Sequence, residues 1–551
     1  MTKGKVGIIS DGIKGDALGY HFASNGYNVL MIELRDFNRS SRMDPSCKEQ
    51  KIKIKKINGK LVEVGVNPLM MKWTSNIEDL SKSDLLIVAT SDDEEGIRRR
   101  VSELENATAA WNTPIIVESM NLLPGTVGKW MKDNTRLLVA YFYDVDYANN
   151  NVELITHEHV SAETLNYVQN YLIDAGFAAY PIKECLGFIH NRVGGIGISN
   201  LLRMYEKGTF SFSELCKYII VTRVRPPHMI HVRMADEMKT EMPDLLPLFK
   251  RMKEEYGDRY YSPAFTERSY TSENLHKIIA EADVSPSLGS ELPPEDFLPG
   301  RKFDLLYVTG PKVIYNNILL QLIKRATKVY FDPGCTSYLG EIERNHPKLH
   351  HKILQVLCTK EPEQINLIID FSIESKSEKI VRLRDLQQRF GTDVPVLVNS
   401  PVHRLGDLTE NALNPSMIFG VYTQRLYLTN TELVSHPLMD PKVYTELKAY
   451  FQSFAGTIIE VSDSEVRPLA LAMLSKMLEA LRLVDEGIAD KETVEALGVD
   501  DGIFQDIEAI GYRDLKVISD VLRPIYSNMF NLPAGVAERL EHDYMQGDEE
   551  A

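Results

Sequence analysis

KVGIISDGIKGDALGYHFASNGYNVLMIE, residues 5–33, decides the fold. KVGIIS (5–10) is a short apolar run of the kind that forms a buried strand, and DGIKG (11–15) carries turn residues. Residues 16–25 have helical spacing, and YNVLMIE (27–33) is a second apolar run. Strand, turn, helix and strand in this order predict the opening of a dinucleotide-binding fold. The turn reads Ser10-Asp11-Gly12-Ile13-Lys14-Gly15 against the pattern G-x-G-x-x-G. Gly12 keeps the glycine that lets backbone approach a diphosphate, and Gly15 keeps the one that lets helix and strand pack closely. Ser10 replaces the first glycine, and Asp11 sets a carboxylate beside the expected diphosphate. Glu33 ends the second strand, where an acid binds a ribose 2′-hydroxyl, which favours NAD over NADP; Arg35 weakens that preference. Ser10, Gly12, Ile13, Gly15 and Glu33 are therefore the candidate cofactor residues.

Further strands are expected at 85–90, 115–118, 137–142 and 178–182, with a helix over 161–175. From 184 to about 279 the apolar spacing turns helical, and 281–300 (EADVSPSLGSELPPEDFLPG) has the composition of a linker. The series then restarts with strands at 303–308 and 328–332. Glu33 and Asp332 end the second strand of their units, and LLRMYEKG (201–208) pairs with ALRLVDEG (480–487) on a helix beyond each unit. The chain reads as a tandem duplication of an α/β Rossmann-like domain followed by a helical one. The expected domains are 1–183, 184–280, 301–462 and 463–551. The second turn, Thr309-Gly310-Pro311-Lys312-Val313-Ile314, has one glycine and a proline without a donor amide, so no dinucleotide is expected there.

At about 150 residues per domain, 551 residues make three or four folded units. Charged residues at 25% and apolar residues at 44% are ordinary for a globular chain. A net charge of −16 argues against a nucleic-acid partner. No apolar stretch approaches a membrane span and no leader is evident, so a cytoplasmic protein is expected. Five widely spaced cysteines without a CxxC fit reduced thiols rather than disulfides or a zinc site.

ECLGFIHNRVGGIGISNLLRMYEKG (184–208) carries Gly187-Phe188-Ile189-His190-Asn191-Arg192. It resembles the helix that opens the C-terminal domain of 3-hydroxyacyl-CoA dehydrogenases, with its GF-[IV]-x-N-R core. EEYGDRYYSP (254–263) is similar to a later segment of that domain, and residues 435–483 resemble the degenerate second repeat of the two-repeat dehydrogenases. The resemblance implies hydride transfer between NAD(H) and an acyl-CoA, with a His–Glu pair moving the hydroxyl proton. The family's histidine lies in H-F-F-N-P with the glutamate twelve residues on. Here that segment is Tyr141-Phe142-Tyr143-Asp144-Val145, and Glu153 stands twelve residues after Tyr141. The glutamate is kept, the histidine is Tyr141 and the asparagine is Asp144. The family's N-T-S-S aligns with Ser119-Met120-Asn121-Leu122, and Asn191 is retained. The implied catalytic residues are Tyr141, Glu153 and Asn191, with Asn121 at the substrate. Tyrosine has an ordinary pKa of about 10 and needs a nearby cation to work near neutrality; no flanking lysine is evident. His157, His159 and His190 read as structural or exposed. In the second half the position of Tyr141 falls near Val421 or Tyr422, and Ala470 replaces Asn191.

KEQKIKIKKINGK (48–60) alternates lysine and isoleucine before an Asn58-Gly59 hairpin signal. Its lysines, Lys53 and Lys55 among them, either bind an anion such as the CoA phosphates or guard an edge hairpin against aggregation. Three functional readings stay open: a diverged NAD-dependent 3-hydroxyacyl-CoA dehydrogenase, an inactive pseudo-dehydrogenase that binds or scaffolds, and a reductase of another small carboxylate. The expected partners are an acyl-CoA or other small molecule, with the helical domains pairing either between two chains or within one.

Overall fold

The structure is a computed structural model. It describes residues 3–11, 13–34, 53–57, 60–64, 70–90, 94–108, 112–143, 150–210, 214–215, 218, 247–263, 302–310, 316–332, 336–355, 364–423, 430–454, 457–498, 502–538 and 540. The linker at 281–300 and the hairpin turn at Asn58 and Gly59 lie outside the described residues.

The first sheet has eight strands. In spatial order they are Ala178–Lys183, Asn151–Thr156, Leu137–Phe142, Ile115–Glu118, Leu85–Ala89, Lys5–Ser10, Asn28–Glu33 and Met71–Trp73. The second sheet repeats this order as Thr457–Ser462, Asn430–Ser435, Ile418–Thr423, Val396–Asn399, Leu367–Asp370, Leu305–Thr309, Lys328–Phe331 and Ile353–Gln355. In each sheet all neighbours run parallel but one pair: Leu137–Phe142 with Asn151–Thr156, and Ile418–Thr423 with Asn430–Ser435. Eight strands in the same order, with the antiparallel pair in the same place, make the fold a duplicated α/β plus α architecture. The stretch from Glu33 to Met71 is longer than its counterpart from Phe331 to Ile353, so the first copy carries an insertion between those strands. That extra length includes the lysine hairpin, where Lys53–Ile57 pairs antiparallel with Lys60–Val64.

The apolar runs are continuous because the parallel strands are covered on both faces. Every residue of Leu85–Ala89 is buried, as is every residue of Ile115–Glu118. Helix Ile13–Ser24 puts Leu18 and Phe22 into this core. It begins inside the expected turn, so Ile13, Lys14 and Gly15 form its first turn. Helix Ala162–Asp174 starts as expected, with Ser161 accepting a hydrogen bond from the Thr164 amide. Strand order reverses at Lys5–Ser10, which opens a crevice at the carboxyl ends of the strands.

The chain forms two compact units, Met1–Arg192 with Glu486–Leu497, and Val193–Asp485 with Gly498–Ala551. Helix Lys491–Leu497 of the second repeat thus belongs to the first unit. Within the second unit, the first helices of the two helical regions, Phe188–Glu206 and Pro468–Asp485, meet at Gly197. A Cβ there would lie 2.9 Å from Cε of Lys476. Lys476 is the counterpart of Gly197 at the same offset that relates LLRMYEKG to ALRLVDEG. Duplicate positions facing each other are the signature of two-fold pairing, here made within one chain. No helix among the described residues is long and apolar enough to cross a membrane.

Candidate functional site

Ser10 ends its strand fully buried. Gly15 packs directly on it: a Cβ on Gly15 would lie 2.5 Å from Cβ of Ser10 and closer still to its hydroxyl. This is the close helix–strand approach that the third glycine of a dinucleotide turn permits, and on that ground the residues present fit such a ligand. Gly12 lies outside the described residues, as do the side chains of Ile13 and Glu33; the backbone of Glu33 pairs with Ser10 at the strand end. Lys14 reaches across the crevice to an ion pair with Glu118, which closes strand Ile115–Glu118. The same ammonium sits 4.6 Å over the ring centroid of Tyr141. The cation missing from the sequence around Tyr141 is therefore supplied by the dinucleotide turn.

Tyr141 stands directly opposite Glu153 in the antiparallel pair, which puts both side chains on one face. Glu153 is fully buried and accepts hydrogen bonds from the amides of Ile189 (2.7 Å) and His190 (3.0 Å). Those amides open helix Phe188–Glu206, whose start the chain reaches through two left-handed residues, Gly187 (φ 82°) and Phe188 (φ 53°). The conformation at position 187 explains its glycine. The third partner of Glu153 is Tyr143, with its hydroxyl 2.6 Å from Oε1. The same hydroxyl lies 2.9 Å from the Leu497 carbonyl oxygen. Burial pushes the Glu153 carboxyl up to about 7, against the opposing pull of these three hydrogen bonds. Tyr143 is raised well above its ordinary value, first by burial and then by Glu153.

Asn191 is buried, and its amide nitrogen has no hydrogen-bond partner among the described residues. Ser119 donates to Asn121 Oδ1 (3.2 Å) at the end of the neighbouring strand. Arg192, beside Asn191, is fully buried in an ion pair with Glu486 (2.7 Å). The His190 ring lies 5.7 Å from the Tyr141 ring and 4.3 Å from the Tyr143 ring, measured between centroids. His190, which the sequence groups with His157 and His159 as structural or exposed, therefore stands in the cluster, and its place inside the motif that opens the helix is the signal for it. His157 and His159 lie elsewhere: His157 Nε2 is 3.2 Å from the Leu137 carbonyl, and His159 is exposed beside Glu158. The side chains of Lys53 and Lys55 lie outside the described residues. Among the described residues no cluster of metal-ligating side chains occurs.

The second copy repeats the buried carboxyl. Glu432 is the counterpart of Glu153, lies opposite Tyr422, and accepts from the Leu469 amide (3.1 Å). Burial raises it to about 7 as well, and Tyr218 lies against it. Tyr218 and Leu497 are themselves counterparts at the repeat offset: Tyr218 lies directly against Glu432, whereas Leu497 reaches Glu153 only through the Tyr143 hydroxyl. The turn of the second copy differs. A Cβ at Gly310 (φ 62°) would lie 2.5 Å from the Ser372 amide. Lys379 is buried beneath and bridges Asp370 (2.8 Å) and Ser372.

Residues 5–185 match the 3-hydroxyacyl-CoA dehydrogenase NAD binding domain family. A probable 3-hydroxyacyl-CoA dehydrogenase of Caenorhabditis elegans is 27% identical over 146 residues, 26% of this chain and 47% of that protein. The chain thus spans about half the length of this relative. The structure of 3-hydroxybutyryl-CoA dehydrogenase from Escherichia coli aligns with a TM-score of 0.57 at 12% identity, covering 99% of this chain and 100% of that one. (S)-3-hydroxybutyryl-CoA dehydrogenase from Ralstonia eutropha covers 50% of this chain and 93% of its own at 18% identity, with a TM-score of 0.38.

Proposed function

We propose, starting from an N-terminal domain that matches the 3-hydroxyacyl-CoA dehydrogenase NAD-binding family, that the protein is an NAD(H)-dependent oxidoreductase acting on a 3-hydroxyacyl- or 3-oxoacyl-CoA. The observation that carries this reading is Tyr141, set opposite Glu153 at the crevice with the Lys14 ammonium over its ring. Ser10, Gly12, Ile13 and Gly15 would hold the diphosphate, and Glu33 the ribose. NAD(H) supplies the hydride acceptor or donor. Tyr141 donates a hydrogen bond to the C3 oxygen of the substrate, and Lys14 supports the charge that develops there. The buried Asn191 amide, which has no partner among the described residues, offers its donor to the same substrate, and Asn121 is assigned to the substrate as well. Lys53 and Lys55 are assigned to the CoA phosphates; Lys53→Glu with Lys55→Glu then weakens acyl-CoA binding at low salt, and unchanged affinity removes them from the site.

One observation favours a second reading, a pseudo-dehydrogenase that binds without turnover. Glu153 is engaged by Tyr143 and two amides rather than by an imidazole. The test mixes the full chain with NADH and acetoacetyl-CoA, follows nicotinamide absorbance and measures NADH binding by calorimetry. Turnover supports the dehydrogenase. Binding without turnover supports the second reading, and neither binding nor turnover defeats both.

A further inference from the structure

Resting on the dehydrogenase reading, the site still needs a group that carries a proton near neutrality. Glu153 is sealed at 0% exposure and is committed to three donors, so it reaches no substrate. Of the described histidines in the first unit, His21 is buried against the Ala175 carbonyl, and His157 lies at Leu137, the far end of the strand from Tyr141. His159 is exposed beside Glu158. His190 alone of these shares the cluster with Tyr141 and Tyr143.

Its placement is built in. The left-handed pair Gly187 and Phe188 turns the chain into the helix, and the His190 amide is held on Oε1 of Glu153. The ring therefore projects from a fixed backbone, and it is only partly buried. Position 141 on the strand has a tyrosine in place of an imidazole, and the helix presents an imidazole against that tyrosine.

We propose that His190 is the acid–base group of this site, the imidazole standing on the helix rather than the strand around the same glutamate. In the reducing direction C3 of the 3-oxoacyl-CoA gains a hydride from a reduced nicotinamide. The C=O π pair moves to oxygen, which takes the proton released as the His190 imidazolium N–H bond breaks. The reverse direction returns that proton to the imidazole. Tyr141 orients the oxygen; His190 exchanges its proton.

The test compares wild type, His190→Gln and His190→Ala in the full chain. His190→Gln is expected to lower kcat by about 100-fold or more with NADH affinity unchanged, and to erase the near-neutral limb of the pH–rate profile. Added imidazole should restore part of the rate in His190→Ala, which a packing role would not allow. Independently of turnover, the imidazole resonance absent from His190→Gln should change its titration midpoint when acetoacetyl-CoA is added without NADH. An active wild type with an equally active His190→Gln, keeping its pH limb, overturns the assignment alone. A wild type that binds NADH and turns nothing over overturns the dehydrogenase reading and this assignment with it.

Discussion

The hydroxyl of Tyr143 lies 2.6 Å from Oε1 of Glu153, and both residues are buried. That hydroxyl has one proton and two acceptors within reach, since the Leu497 carbonyl is 2.9 Å away. When Glu153 is ionised, Tyr143 donates to it and the carbonyl goes without. When Glu153 is protonated it donates to Tyr143, which then donates to Leu497, and every group is satisfied. A carboxyl raised to about 7 by burial favours the second state below about pH 7 and the first above it.

Tyr143→Phe removes this link. The variant is expected to lose about 1–3 kcal/mol of stability in urea unfolding, the cost of leaving a buried carboxyl short of one partner. Amide exchange in helix Lys491–Leu497 should quicken in the same variant, because Leu497 loses its tether. Unaltered exchange there would mean the contact does not hold the helix.

The pH dependence follows with a definite sign. Glu153 and Glu432 both have folded pKa values of about 7, above the ordinary 4.5. The folded state therefore binds protons that the unfolded state has released. This stabilisation is complete below about 4.5 and is lost as pH rises through about 7. Each carboxyl contributes a slope of up to about 1.4 kcal/mol per pH unit in that window. Glu153→Gln should remove one carboxyl's share of the slope, read from urea unfolding at a series of pH values.

Gly15→Ala is expected to weaken NADH binding and to cost about 1–3 kcal/mol of stability, because its methyl group has nowhere to go but into Ser10. Adding Ser10→Gly removes the obstructing side chain and should recover much of the stability loss. Thermal melts of the single and double variants decide it; equal melts would place the clash elsewhere.

In the second unit, Lys379→Met leaves Asp370 buried without its cation. Equilibrium unfolding should show a loss of about 3–5 kcal/mol, as for other buried pairs broken on one side. Replacing both partners, Asp370→Asn with Lys379→Met, should cost clearly less.

The strands at 5–10, 27–33, 85–90, 115–118, 137–142, 178–182, 303–308 and 328–332 are legible because each is a short apolar run, and the duplication because elements recur in the same order. The expected helix over 161–175 has its start placed at Ser161, but the cap made by that side chain and the left-handed backbone at Gly187 come from the structure. The turn expected over 11–15 is shorter in the structure, because Ile13, Lys14 and Gly15 suit the start of a helix as well as a turn. Strand Met71–Trp73 gives no pattern because it is very short and both Lys72 and Trp73 are exposed, and strand Asn151–Thr156 is hidden in the sequence by the polar residues Asn151, Glu153 and Thr156. Tyr143 read as a variant of an apolar position, with no local sign that its hydroxyl would meet the Glu153 carboxyl across the antiparallel pair.

By itself the sequence determined the repeated α/β and helical plan, the glycine turn of the first copy and the absence of a histidine at position 141. These are consequences of backbone periodicity and of residue identity at fixed spacing. Only the tertiary structure decided what surrounds Tyr141: Lys14 from the far side of the crevice, and His190 from the first turn of helix Phe188–Glu206. It also decided that Glu153 is closed by Tyr143 and that Tyr143 is met by a carbonyl from the other repeat. Such neighbours are set by strand register and by helix entry angle, which bring together residues far apart along the chain, and no local pattern encodes those distances.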